Sequence, residues 1–128
     1  MGERELLEML LSEADRRTPA IVDGVKRRTE PAEPSSEEIE QIRVDAHGLK
    51  GAAMVVGQTR LSELAKTIEI ALVQRIAPGM IDPDLSERLV QATDALREGV
   101  RAAAEGKPEP PSVGDALASL SDPAAYSD

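Results

Sequence analysis

Apolar positions recur every three or four residues along most of the chain, separated by short Pro- and Gly-rich stretches. In the first segment, 3–28, Leu7, Leu10, Ala14, Ile21 and Val25 keep the phase of a 3.6-residue period. Pro19 interrupts it. Thr18-Pro19 reads either as the cap and first-turn proline of a new helix or as a kink in one helix. The stripe stays in register across Pro19, so a kink or tight break between collinear pieces is expected there. The breaker EPAEP follows. Ser35 and Glu38 then form a capping box ahead of a second helix, 35–57. Its stripe is Ile39, Ile42, Ala46, Leu49, Ala53 and Val56, and Gly57 ends it.

A third helix, 59–77, carries Leu61, Leu64, Ala65, Ile68, Leu72 and Ile76, and Ala77-Pro78-Gly79 stops it. Asp82-Pro83 caps and opens a fourth, 82–105, with Leu85, Leu89, Ala92, Leu96, Val100 and Ala103 inward. The linker GKPEPP precedes a weaker pattern at 113–120, a short fifth helix docked on the others, and a small, polar, flexible tail. No strand alternation and no internal repeat is visible. Short loops make neighbouring helices antiparallel. The pattern therefore predicts an all-α fold, an antiparallel up-down-up-down four-helix bundle with a short fifth C-terminal helix. Residues 1–106 form the bundle and 107–128 the linker, short helix and tail.

Composition narrows the core. The 128 residues contain no Phe, no Trp and one Tyr, Tyr126, so burial rests on Leu, Ile, Val, Ala and Met. The net charge of −9 argues against nucleic acid and anionic membrane as partners, and no basic run exceeds Lys26-Arg27-Arg28, which suits the end of a helix. Cysteine is absent, so disulfides and thiolate metal sites are excluded. No carboxylate cluster has metal-ligand spacing, and Met1, Met9, Met54 and Met80 read as core or rim residues. No apolar run approaches the roughly 18 residues of a membrane span, and no signal peptide is evident. A cytoplasmic, monomeric domain without membrane insertion is expected.

The chain has one histidine, His47, in AHGLKGAA. It lies about 100° from the buried Ala46 on a helical wheel, so it faces solvent at least in part. Lys50 is one turn on, where its ammonium reaches whatever the imidazole carries. Gly51 costs about 1 kcal/mol of helix stability relative to Ala. Clearance for a second molecule approaching the ring explains it, and close helix packing is the competing explanation. An exposed imidazole is a nucleophile near neutral pH, and a phosphoryl group on it gains from a nearby ammonium. These features fit a phosphorylatable histidine. Arg43 and Arg60, near the site, read as solvated charges, with partner docking as the competing reading.

AHGLKGAA resembles the His-x-x-Lys-Gly signature of histidine phosphotransfer (HPt) domains, and most of all the N-terminal phosphotransfer domain of CheA-type chemotaxis kinases. The similarity extends through Val56-Gly57 and Leu61-x-x-Leu64 to Ile68-Glu69. The short fifth helix after a Pro-rich linker resembles the CheA type more than a minimal four-helix module. The resemblance implies that Glu69 on the third helix accepts a hydrogen bond from Nδ1–H of His47, setting the tautomer and leaving Nε2 as nucleophile, with Lys50 stabilising phosphate. Three residues depart from the family pattern. Asp45 places an acid near the site unless it points away. Met54 and Val55 stand where small residues are frequent, and they enlarge an apolar rim for partner docking.

The resemblance implies a phosphohistidine carrier in two-component signalling. His47 accepts a phosphoryl group from the catalytic domain of an ATP-dependent histidine kinase and passes it to an aspartate of a response-regulator receiver domain. No Gly-rich nucleotide loop is present, so this domain is expected to bind no cofactor and not to phosphorylate itself, with ATP and Mg²⁺ used by partner domains. If the chain belongs to a larger kinase, it is the substrate domain of that kinase. Two alternatives stay open: a phosphorelay module fed by the receiver of a hybrid kinase, and a non-phosphorylated helical adaptor that binds a response regulator.

Overall fold

The computed structural model describes residues 2–27, 36–75 and 82–121. Five helices follow one another: α1 (Glu3–Arg27), α2 (Ser36–Val55), α3 (Thr59–Arg75), α4 (Pro83–Ala104) and α5 (Pro111–Ser121), with no strand among the described residues. Helix α1 packs on α2 and α4, and α3 packs on α2 and α4, which closes a four-helix ring. Helix α5 lies against α3 and α4. This is the all-α bundle that the apolar periodicity predicts.

Local chemistry places the ends. Helix α1 is helical from Glu3 through Arg27 with Pro19 inside it. Proline removes the amide that would meet the Asp15 carbonyl, and the buried Thr18 hydroxyl donates to the Ala14 carbonyl at 2.6 Å. Thr18 is therefore an interior residue of α1, not the cap of a new helix. Helix α2 ends at Val55 and is capped by Gly57, whose φ of +78° only glycine adopts at low cost. Its amide donates to Met54 at 3.0 Å and the next, from Gln58, to Ala53 at 2.9 Å, the paired bonds of a Schellman motif. Gly106 closes α4 in the same way, with φ +71° and the Lys107 amide on the Ala102 carbonyl at 2.8 Å. At the start of α4, Asp82 Oδ2 accepts from the amides of Asp84 and Leu85 at 3.1 and 3.3 Å, and Pro83 takes the first helical position. The capping box at Ser35, the stop at Ala77-Pro78-Gly79 and the tail beyond Ser121 lie outside the described residues.

Core packing follows the aliphatic composition. Leu10, Ile21, Leu49, Leu64, Ile68, Leu72, Leu89 and Leu96 are fully buried, with Ala14, Ala46, Ala53, Ala65 and Ala92 between them. Small residues let helices without large rings approach closely, and the interior keeps its density. A Cβ at Gly24 would overlap Ile42 across the α1–α2 contact. One at Gly99 would lie 2.5 Å from Leu61 Cδ2 and 3.0 Å from Val113 Cγ2. Gly99 is thus the point where α3, α4 and α5 meet. No described helix is long and apolar enough to cross a membrane.

Helix α5 extends over 111–121, longer than the 113–120 pattern, because Pro111 serves as its first residue. Its Val113, Ala116, Leu117 and Leu120 join the same core as α1–α4. Leu120→Ala should therefore lower stability by about 2–4 kcal/mol, read from the urea midpoint at unchanged slope. A loss under about 0.5 kcal/mol, the ordinary range for surface substitutions, would show that α5 is not part of the cooperative core.

Candidate functional site

Helices α2 and α3 pack on each other, and Ala46, Leu49 and Ala53 of the first and Leu64, Ala65, Ile68 and Leu72 of the second are buried in the common core. Glu69 follows the buried Ile68 by one position, so its side chain emerges at the edge of that interface, only 12% exposed. Three side chains of α2 reach it. Residues 43, 47 and 50 are spaced by four and three, which aligns them along one face. His47 Nδ1 lies 2.9 Å from Glu69 Oε2. Arg43 Nη1 donates to the same oxygen at 3.2 Å. Lys50 Nζ lies 3.4 Å from Oε1. A carboxylate only accepts, so the imidazole nitrogen facing it is the one that carries the proton.

The His47 side chain remains 58% exposed while Nδ1 is engaged. The ring is held at Nδ1 by Glu69. The backbone carbonyl of Lys50 accepts from the buried Ser62 hydroxyl at 3.0 Å, which ties the start of α3 to α2. A Cβ added to Gly51 meets nothing within 4 Å, so helix packing does not require the glycine. Val44, Met54 and Val55 of α2 and Ile70 and Val73 of α3 are exposed. Beside Lys50 runs a groove lined by Met54, Thr59, Ser62, Glu63 and Lys66.

Asp45 points away from the imidazole. It is 5% exposed and faces α1, where Arg17 Nη1 donates to it at 3.0 Å; Gln41 Nε2, one turn earlier on α2, donates at 3.4 Å. Arg17 Nε also donates to Glu13 at 2.7 Å. That hydrogen bond, with the neighbouring arginine charges, holds the Glu13 carboxyl below its ordinary range despite an opposing contribution from burial. The Arg17 guanidinium lies over Gly48, where a Cβ would come within 2.7 Å of its Cζ. The glycine after His47 is therefore the seat of an interhelix ion pair, a role the sequence signature does not reveal.

The arginines read as solvated charges are both paired. Arg60 reaches Glu109, in the segment before α5, at 3.1 Å. Arg43 joins Glu69 directly and also binds Glu40 through Nε at 3.0 Å and through Nη2. Arg43 is the site residue that sequence reasoning missed. The signal was its position four residues before His47, on the face that also carries Lys50.

Removing the Asp45 carboxylate leaves part of the Arg17 fork without a partner. Asp45→Ala should cost about 1–3 kcal/mol, the range for orphaning a part-buried donor, while the imidazole NMR resonances of His47 stay within a line width of wild type. Moved imidazole resonances in the folded variant would place Asp45 in the site.

The Hpt domain family matches residues 5–99, from the first turns of α1 through most of α4 and past both helices of the site, with α5 beyond the matched span. No curated protein matches the chain. With a family match over more than half of its length and the chain's single histidine exposed at the α2–α3 edge, the chain belongs to the Hpt domain family, whose function is histidine phosphotransfer in two-component signalling.

Proposed function

We propose that the protein accepts a phosphoryl group on Nε2 of His47 from the ATP-bound catalytic core of a CheA-type histidine kinase and delivers it to the aspartate of a response-regulator receiver domain. The observation that carries this reading is an imidazole more than half exposed and tethered through Nδ1 alone, at 2.9 Å from Glu69. With the proton on Nδ1, the Nε2 lone pair attacks the γ-phosphorus of ATP. The N–P bond forms as the bond to the bridging oxygen breaks, and ADP leaves with that electron pair. The ring becomes cationic, and Glu69 stabilises it without taking the proton. Lys50 supplies charge to the new phosphoryl oxygens. In the second transfer a receiver carboxylate attacks phosphorus, the N–P bond breaks, and its electrons return to Nε2. ATP, Mg²⁺ and the remaining catalytic groups belong to the partner domains. The fifth helix, packed on α3 and α4 after a Pro-rich segment, favours a kinase-fed domain over a minimal relay module.

The apolar rim of Val44, Met54, Val55, Ile70 and Val73 supports docking of both partners over the ring, with Gly51 leaving the approach open. Every partner that exchanges phosphate with His47 must cross this surface, so one interface serves both directions.

The test is transfer of labelled phosphate from ATP and Mg²⁺, with and without a CheA-type kinase core. The reading requires acid-labile, alkali-stable label that appears only with the core and is abolished by His47→Gln at unchanged helicity. Label from a phosphorylated receiver but not from the core would instead assign a relay module, and label from neither would leave an adaptor. Glu69→Ala should slow transfer on the order of 100-fold, the scale of one misplaced reacting group, with partner affinity changed less than the rate. Equal losses in both would remove its role on the imidazole. Gly51→Leu should fold at least as stably, since leucine is the better helix former by just under 1 kcal/mol, yet fail to exchange phosphate. Normal exchange would show that clearance is not required.

A further inference from the structure

Glu69 Oε2 accepts from two donors, and the second is held more firmly than the first. Arg43 lies between two carboxylates. Its Nε and Nη2 meet the two oxygens of Glu40, and its Nη1 reaches Glu69 at 3.2 Å. Glu40 sits three residues earlier on α2, so the helix itself sets the spacing. The hydrogen bonds from Arg43 hold the Glu40 carboxyl below its ordinary range, and Glu40 in turn raises the guanidinium. A planar fork suits this arrangement, because it binds one carboxylate with two donors and turns a third outward. Glu69 is thus gripped at both oxygens, by Arg43 at Oε2 and by Lys50 at Oε1.

That grip bears on the chemistry. A glutamate has three rotatable torsions, and a carboxylate held only by the imidazole is free to swing or to offer its other oxygen. In an unrestrained histidine the Nε2–H tautomer is the commoner one, which masks the nitrogen required for attack. Keeping the proton on Nδ1 needs an acceptor fixed at that nitrogen. We propose that Arg43 is a positioning residue for phosphoryl transfer: anchored on Glu40, it fixes the Glu69 carboxylate so that Oε2 stays at Nδ1 of His47 and Nε2 stays free. This role rests on the phosphocarrier reading for its kinetic consequence, while its consequence for the tautomer stands on geometry alone.

Arg43→Gln keeps a good helix former on an exposed turn of α2, so the fold should survive. Two readouts separate positioning from mere structure. The first is the tautomer of His47 in the free chain, from the ¹⁵N resonances of the imidazole. The Nδ1–H fraction should fall in Arg43→Gln and, to a smaller extent, in Glu40→Gln. The second is transfer from the kinase core at varied chain concentration. The rate at saturation should fall roughly ten-fold, a fraction of the loss from misplacing the group outright, with KM within about two-fold of wild type. Arg43→Lys, which keeps the charge but lacks the fork, should restore less than half of the lost rate. A wild-type tautomer fraction in folded Arg43→Gln, a faster saturated rate, or an effect confined to KM would each overturn the proposal. If no donor labels even the wild-type chain, the phosphocarrier reading fails, and the tautomer measurement still decides the role of Arg43.

Discussion

The site depends on one carboxylate at the edge of a helix interface. Glu69 is nearly covered, and it draws three polar side chains of α2 onto one point of α3. Isolated surface ion pairs contribute about 0–1 kcal/mol, so this cluster matters little for holding the bundle together. It serves geometry. A covered carboxylate without donors is costly, and donors anchored on a rigid helix are how that cost is met. Meeting it here leaves the imidazole oriented and the face above it bare.

The rest of the molecule supports that arrangement. A core of Leu, Ile, Val and Ala, with glycine at Gly24 and Gly99 where helices nearly touch, fixes the α2–α3 register that puts position 69 opposite 43, 47 and 50. On the other flank of α2, the part-buried pair of Asp45 and Arg17 ties the same helix to α1 across Gly48. The nucleophile therefore stands on an element braced from both sides. Precise placement of a reacting group requires this, since displacement by 1 Å can cost about 100-fold in rate.

Helices were legible because burial imposes a period. The stripes of α2, α3 and α4 needed only the apolar residues, and Asp82-Pro83 and Gly57 marked ends by their own backbone chemistry. Within the site, His47 and Lys50 were legible by their spacing along one helix, and Glu69 only by resemblance, since no periodicity says which glutamate of α3 lies opposite a given residue of α2. Arg43 was passed over because an arginine on an exposed helical face is usually solvated, and its partner Glu69 is 26 residues away. The direction of Asp45 was unreadable for the same reason: its partner Arg17 lies 28 residues earlier, on α1. The second glycine role, at Gly48, is a property of tertiary packing and leaves no trace in the local sequence.

The central claim is that Glu69 holds Nδ1, so chemistry occurs at Nε2. It is tested most directly by locating the phosphoryl group on the phosphorylated chain. Phosphorus–nitrogen couplings in the ¹⁵N-labelled imidazole, recorded under alkaline conditions where phosphohistidine persists, distinguish the two nitrogens. The account predicts a single phosphoryl group, on Nε2 of His47. Phosphate on Nδ1, or on a residue other than His47, would contradict it.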